Sequence, residues 1–276
     1  MFATDQSASP GYVARLAEDL GFHSLWFPEH SHMPSSRETP WGGVSGARPL
    51  PEQYWHTLDA PVALAHAAAV TNTIRLGTGV SLVAQRDPIW TAKEIATLDH
   101  LSGGRAYFGV GYGWNKEEMA NHGTRYAERR TMLRDHVLTI KALWTEEDAS
   151  YQGDHFRLEP SWAWPKPVQK PHPPIIMGAA AGPKTISHMV EFCDGWMPLA
   201  TRHDIVEKTA LVRDAVAASG RDPQSFEIIA YGTKTDDVEH LANAGIDHAV
   251  YTIPTADEET VSSRLHSLAE TVGLRG

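Results

Sequence analysis

The sequence predicts an α/β fold, a (β/α)8 barrel, on three observations. Short β-branched or aromatic runs alternate with helix-period segments along the whole chain, as βα units around a parallel sheet require. Eight such units can be counted. The length, 276 residues, suits one barrel domain over 1–276, since barrels commonly take about 250 residues. A doubly wound open sheet is the alternative arrangement of the same units.

The first strand is expected at 1–4; it is short, or the recorded start is internal. Its helix covers 10–20, with Val13, Leu16, Ala17 and Leu20 on one face and Gly21 as the stop. The other strands are expected at 24–28, 74–81, 106–110, 174–177, 195–198, 226–230 and 248–253. The other helices fall at 61–71, 89–101, 125–144, 183–192, 204–219, 235–244 and 257–272. Pro61, Pro88 and Pro183 sit at helix starts, where a missing N–H costs nothing. Three connections exceed simple turns and read as insertions: 31–59 after the second strand, 112–124 after the fourth, and 146–173 before the fifth.

Bulk properties narrow the function. A net charge of −10 without a basic stripe argues against nucleic acid as a partner. No apolar run approaches the roughly 20 residues of a membrane helix, and the N-terminal residues lack a signal peptide's apolar core. With Cys193 the only thiol, a cytoplasmic setting is expected and no internal disulfide can form.

In barrels the chemistry sits at the C-terminal ends of the strands. The second strand ends in Glu29-His30, either a proton-transfer pair or a structural loop cap. In the third, Gly77 and Gly79 leave room for a planar ring against the backbone or mark a bulge. After it come Arg86 and Asp87, and Asp87 reads as a helix cap. The fourth runs into Gly109-Val110-Gly111-Tyr112-Gly113-Trp114, which fails the dinucleotide spacing but makes a side-chain-free floor edged by Tyr112 and Trp114. The fifth opens into Gly178-Ala179-Ala180-Ala181-Gly182-Pro183-Lys184, small residues before a helix start, suited to an anion or to helix packing. Metal hydrolysis lacks ligands from the other strands, so no metal is expected. Cys193 reads as core rather than nucleophile.

In order and spacing, several stretches resemble the luciferase-like monooxygenase superfamily, and within it the coenzyme F420-dependent oxidoreductases. They include Leu25-Trp26-Phe27-Pro28-Glu29-His30, Ile74-Arg75-Leu76-Gly77-Thr78-Gly79-Val80, Leu101-Ser102-Gly103-Gly104-Arg105, Phe108-Gly109-Val110-Gly111-Tyr112-Gly113-Trp114 and Cys193-Asp194-Gly195-Trp196. The resemblance implies a bacterial-luciferase-like barrel with its cofactor ring across the mouth. It implies a non-prolyl cis peptide at Gly79-Val80 behind the ring, and a ring contact at Thr78, Gly79, Val80, Gly111, Tyr112 and Trp114. It implies a phosphate-bearing tail at Gly178, Ala179, Ala180, Ala181, Gly182 and Lys184. His30 becomes the group that assists proton transfer or positions the ring edge, with Glu29 setting its tautomer. Trp114 departs from the deazaflavin sugar-phosphate dehydrogenases, which carry a catalytic glutamate there.

The activity expected is hydride transfer between reduced coenzyme F420 and a small organic substrate held under the lid 31–59. The alternatives are an FMN-dependent monooxygenase using oxygen, and a non-catalytic carrier of flavin or deazaflavin. Dimers are frequent among such proteins, so a homodimer is expected as well.

Overall fold

The computed structural model describes residues 1–201 and 204–274; positions 202, 203, 275 and 276 of the expected domain lie outside the described residues. The described strands are β1 (Ser24–Phe27), β2 (Arg75–Thr78), β3 (Ala106–Val110), β4 (Ala149–Gln152), β5 (Arg157–Ser161), β6 (Ile175–Met177), β7 (Gly195–Trp196), β8 (Glu227–Tyr231) and β9 (His248–Val250). Seven of them form one sheet in the order β1-β2-β3-β6-β7-β8-β9, every ladder parallel, while β4 and β5 pair separately as an antiparallel hairpin. The order never reverses along the sheet, which removes the doubly wound alternative, since that arrangement needs a switch point.

The sheet curls. Trp26 on β1, Tyr107 on β3, Ile176 on β6, Met197 after β7 and Ile229 on β8 meet in a single buried cluster inside it. At the two edges the rings of His23 and His248 stack, with centroids 4.5 Å apart. The helices cover the outside: α1 (Pro10–Asp19), α2 (Ala60–Ala68), α3 (Pro88–Leu101), α4 (Lys116–Asn121), α5 (Arg129–Thr145), α6 (Pro183–Phe192), α7 (Ile205–Ala218), α8 (Val238–Asn243) and α9 (Glu258–Thr271). Their apolar faces close two outer cores against the sheet, one built around Ile95, Phe108, Leu133, Ile140 and Trp196, the other around Val13, Leu64, Leu76 and Leu265. The Asp87 carboxylate accepts from Trp90 N–H and caps α3, as its place in the sequence suggested. Cys193 is fully buried in the first of these cores.

The expected strand at 1–4 does not form, so the sheet has seven strands among the described residues where eight were expected. Its backbone groups are spent on loops instead. Thr4 makes a lone antiparallel bridge to Thr57, Leu58 N–H donates to Ala3 O, and the Thr255 hydroxyl donates to Phe2 O. Met1 and Ala3 are nonetheless buried, and Met1 lines a small cavity between β1 and β9.

All three long connections carry structure that periodicity did not reveal: 31–59 holds two short 3-10 turns, Trp41–Gly43 and Glu52–Tyr54. The segment 112–124 contains α4, and 146–173 contains the β4–β5 hairpin. The hairpin is tied to α5 by Asp135, which accepts from the Tyr151 hydroxyl at 2.8 Å and from His155 N–H at 2.7 Å.

Candidate active site

At the C-terminal end of the sheet a cavity of about 430 Å³ opens, within the usual range of small-molecule sites. Its floor is backbone. Val80 stands at the centre, its peptide bond with Gly79 is cis as expected, and its two methyls point at Gly111 and Gly178. A Cβ on Gly111 would lie 2.4 Å from Val80 Cγ2, and one on Gly178 would lie 2.4 Å from Val80 Cγ1. Both glycines are therefore required by close approach. The loop ends are bonded into a continuous surface by Gly111 N–H to Ser81 O and Gly178 N–H to Val110 O.

Eight of the sequence-predicted site residues line this cavity: Gly79, Val80, Gly111, Tyr112, Trp114, Gly178, Ala179 and Ala180. The others do not. Thr78 is fully buried in the sheet and donates its hydroxyl to Gly109 O at 2.7 Å. Ala181 packs on the outer core, Gly182 is the N-cap of α6, and Lys184 is exposed on its first turn. Gly77 leaves room for a ring, but the ring is the protein's own: a Cβ there would lie 2.3 Å from the Trp26 indole.

Sequence reasoning missed the charged side of the wall. Arg129 and Arg130, at the start of α5, line the cavity with Tyr126, Thr185, Leu199 and Tyr231. Arg129 lies over the Tyr126 ring, 3.6 Å from its centroid, and Arg130 over the Tyr112 ring at 5.1 Å. The Arg129 Nε is buried without a hydrogen-bond partner, and burial pushes its guanidinium pKa down. Two cations at a helix N-terminus, with no acidic residue in that first turn, oppose the helix dipole. That placement was the available signal for a functional role. Opposite them α6 begins at Pro183, and its N-cap Gly182 supplies no side-chain cap. The Tyr112 hydroxyl lies within hydrogen-bond distance of His188 Nδ1, 2.9 Å away; burial and the nearby Lys184 lower the His188 pKa to about 4, which leaves the ring neutral.

Glu29 and His30 do not pair, contrary to expectation. The Glu29 carboxylate is taken up by Arg86 Nη1 at 3.0 Å, Leu82 N–H at 3.0 Å and the Ser81 hydroxyl at 3.2 Å. Its burial raises its pKa against the opposing effects of Arg86 and these hydrogen bonds. Glu29 thereby fastens the end of β1 to the loop after β2. His30 turns the other way. Its Nδ1 lies 2.8 Å from Oε2 of Glu118 on α4, and its ring packs against Tyr54 and Trp114, 5.2 and 5.7 Å away, two rings that also meet each other. His30 thus stands behind Trp114, one ring from the cavity, at the base of the lid that supplies Gly42 and Gly43 to the lining.

This architecture has known counterparts. The chain is 41% identical over 273 residues to an uncharacterized protein of Mycobacterium tuberculosis, covering 98% of this chain and 95% of that one. It is 30% identical over 216 residues to the F420-dependent hydroxymycolic acid dehydrogenase of the same organism, covering 77% of this chain and 55% of that one. It is 32% identical over 228 residues to an F420-dependent glucose-6-phosphate dehydrogenase of Kineococcus radiotolerans, covering 79% of this chain and 62% of that one. Among solved structures, a monooxygenase from Streptomyces bottropensis superposes with a TM-score of 0.75 at 21% identity, over 95% of this chain and 91% of that one. Its likeness speaks for the fold. The sequence model of the luciferase-like monooxygenase family matches residues 10–266, and the chain belongs to that family.

Proposed function

We propose that the chain binds coenzyme F420 in the cavity at the C-terminal end of the sheet and transfers a hydride between the reduced cofactor and a small organic substrate. The observation that carries this reading is the cavity's division into two halves. One half is a flat floor made by Val80, Gly111 and Gly178, where a planar ring can lie on backbone. The other holds Arg129, Arg130 and Thr185 of the first turn of α6, donors and a positive helix end suited to a phosphate or carboxylate. A deazaflavin carrying an anionic tail fits both, and the unpaired Nε of Arg129 is a donor such a tail would satisfy. The F420-dependent relatives support the choice of cofactor.

When bound, the deazaflavin supplies the hydride chemistry, and the chain's residues supply orientation and proton handling. Val80 and the glycines fix the ring plane, Arg129 and Arg130 hold the anionic end, and the lid 31–59 excludes water above it. His30, behind Trp114 at the base of the lid, is the group assigned to exchange a proton with the substrate, through an intervening water. Trp114, packed edge-on to His30 and Tyr54, favours an apolar substrate over a sugar phosphate.

Fluorescence titration of the purified protein with coenzyme F420, and separately with FMN, tests the cofactor. Binding of the deazaflavin at micromolar affinity or tighter is expected, and tight binding of FMN alone overturns the reading. Oxidation of the reduced deazaflavin by a panel of ketones, enones and quinones separates an enzyme from a carrier, and loss of that turnover in His30→Ala is expected.

A further inference from the structure

We propose that Glu118 is a positioning residue that holds the His30 imidazole with its hydrogen on Nδ1, so that Nε2 is the nitrogen offered for proton exchange. The inference rests on the role given to His30 above. Glu118 is fully buried, and its two oxygens face two consecutive residues of the strand end: Oε2 lies 2.8 Å from His30 Nδ1, and Oε1 accepts from Ser31 N–H at 3.2 Å. An ionised carboxylate has only acceptors, so the hydrogen between it and the ring belongs to Nδ1. Nε2, the other nitrogen, has no hydrogen-bond partner among the described residues. Packing against Tyr54 and Trp114 keeps the ring from turning over.

The helix that carries Glu118 is itself anchored. The Asn115 side-chain Oδ1 accepts from the N–H groups of Glu117 and Glu118 and caps the start of α4. The neighbouring Glu117 carboxylate accepts from the N–H groups of Glu38 and Thr39, 3.0 and 3.2 Å away in the lid. Successive helical residues point about 100° apart, so one turn of α4 holds the lid with one carboxylate and the imidazole with the next. A carboxylate present only to satisfy Ser31 N–H would have no need of the short contact to Nδ1. The arrangement follows the logic by which a buried acid fixes the tautomer of a catalytic histidine from behind.

Glu118→Gln makes a sharp test. Ser31 N–H requires an oxygen at the Oε1 position, which leaves the amide NH2 facing His30 Nδ1 as a donor and drives the ring's hydrogen to Nε2. Long-range proton–nitrogen correlation spectra of histidine-labelled protein at pH 8, with His30 assigned through His30→Phe, read the tautomer without cofactor. The wild-type protein is expected to carry the hydrogen on Nδ1, Glu118→Gln to carry it on Nε2, and Glu118→Asp to keep the wild-type signature. In turnover of reduced coenzyme F420, Glu118→Gln should lower kcat by about 10²–10⁴-fold, the usual share of proton transfer, with the cofactor's Kd within about threefold. Glu118→Asp should recover part of that loss.

A wild-type His30 found with its hydrogen on Nε2, or doubly protonated, overturns the proposal. So does a Glu118→Gln variant that keeps the wild-type tautomer, or one that keeps its kcat while His30→Ala loses turnover. If Glu118→Gln does not fold, the wild-type and Glu118→Asp spectra decide. If the tautomers behave as expected but coenzyme F420 does not bind, the positioning role stands and the proposed function falls.

Discussion

Replacing Gly111 with alanine would place a methyl carbon 2.4 Å from Val80 Cγ2, far inside van der Waals contact. The next nearest atom is Gly178 O at 3.4 Å, an ordinary approach, so Val80 alone accounts for the clash. Gly111 is not among the glycines with positive φ, so alanine meets no backbone penalty. Overpacking of this kind costs about 1–3 kcal/mol. At about 2 °C per kcal/mol for a chain of this size, Gly111→Ala should lower Tm by about 2–6 °C. In a Val80→Ala background the offending methyl is gone. The same substitution should then be neutral, or stabilising by about 0.4–1 kcal/mol through the unfolded chain. The four proteins of this double-mutant cycle, compared by thermal and urea unfolding, should give a favourable coupling of about 1–3 kcal/mol. A Gly111→Ala cost that is the same in both backgrounds, to within about 0.5 kcal/mol, refutes the wedge.

Other perturbations separate binding from scaffolding. Arg129→Ala removes a cavity-lining cation, and the loss of a charge-assisted contact should weaken coenzyme F420 by about 10–100-fold in a fluorescence titration. Glu29→Ala leaves Leu82 N–H unpaired and strips Arg86 of its most buried partner; it should cost about 2–4 kcal/mol in urea unfolding while leaving cofactor affinity within about threefold. His188 has a folded-state pKa near 4, below its ordinary value of 6.5, so the unfolded chain binds the extra proton between those values. Its contribution to stability is complete above pH 6.5 and is lost as the pH falls towards 4; after allowing for solvent screening this amounts to about 1–2 kcal/mol. His188→Gln should flatten that part of the stability profile.

Much of the fold was legible because the strands are short apolar runs and the helices are amphipathic. The α6 span was read without error, and α3 to within a residue. The first strand was misjudged because an apolar start says nothing of where its backbone partners lie, and here they lie in loops. The hairpin went unread because β4 and β5 are short and largely exposed, with a single buried apolar side chain each. In the site, glycines at strand ends announced the floor. The pairing of His30 could not be read, because its partner lies 88 residues further on, on a short helix inside a segment that reads as a connection. Glu29, adjacent in sequence, was the obvious candidate, but neighbours in an extended segment point to opposite sides.

The cavity draws its wall from Gly42 through Tyr231, so no contiguous piece of the chain contains it. Its ligand therefore recognises only the fully assembled molecule, and any partly unfolded form that releases β8 or the lid loses the site. Binding energy is then returned to the whole fold rather than to one element. A ligand at about 100 times its Kd would add about 2.7 kcal/mol to global stability. Thermal-shift screening, which needs no turnover and no prior choice of substrate, thus becomes a direct search for what this cavity was shaped to hold.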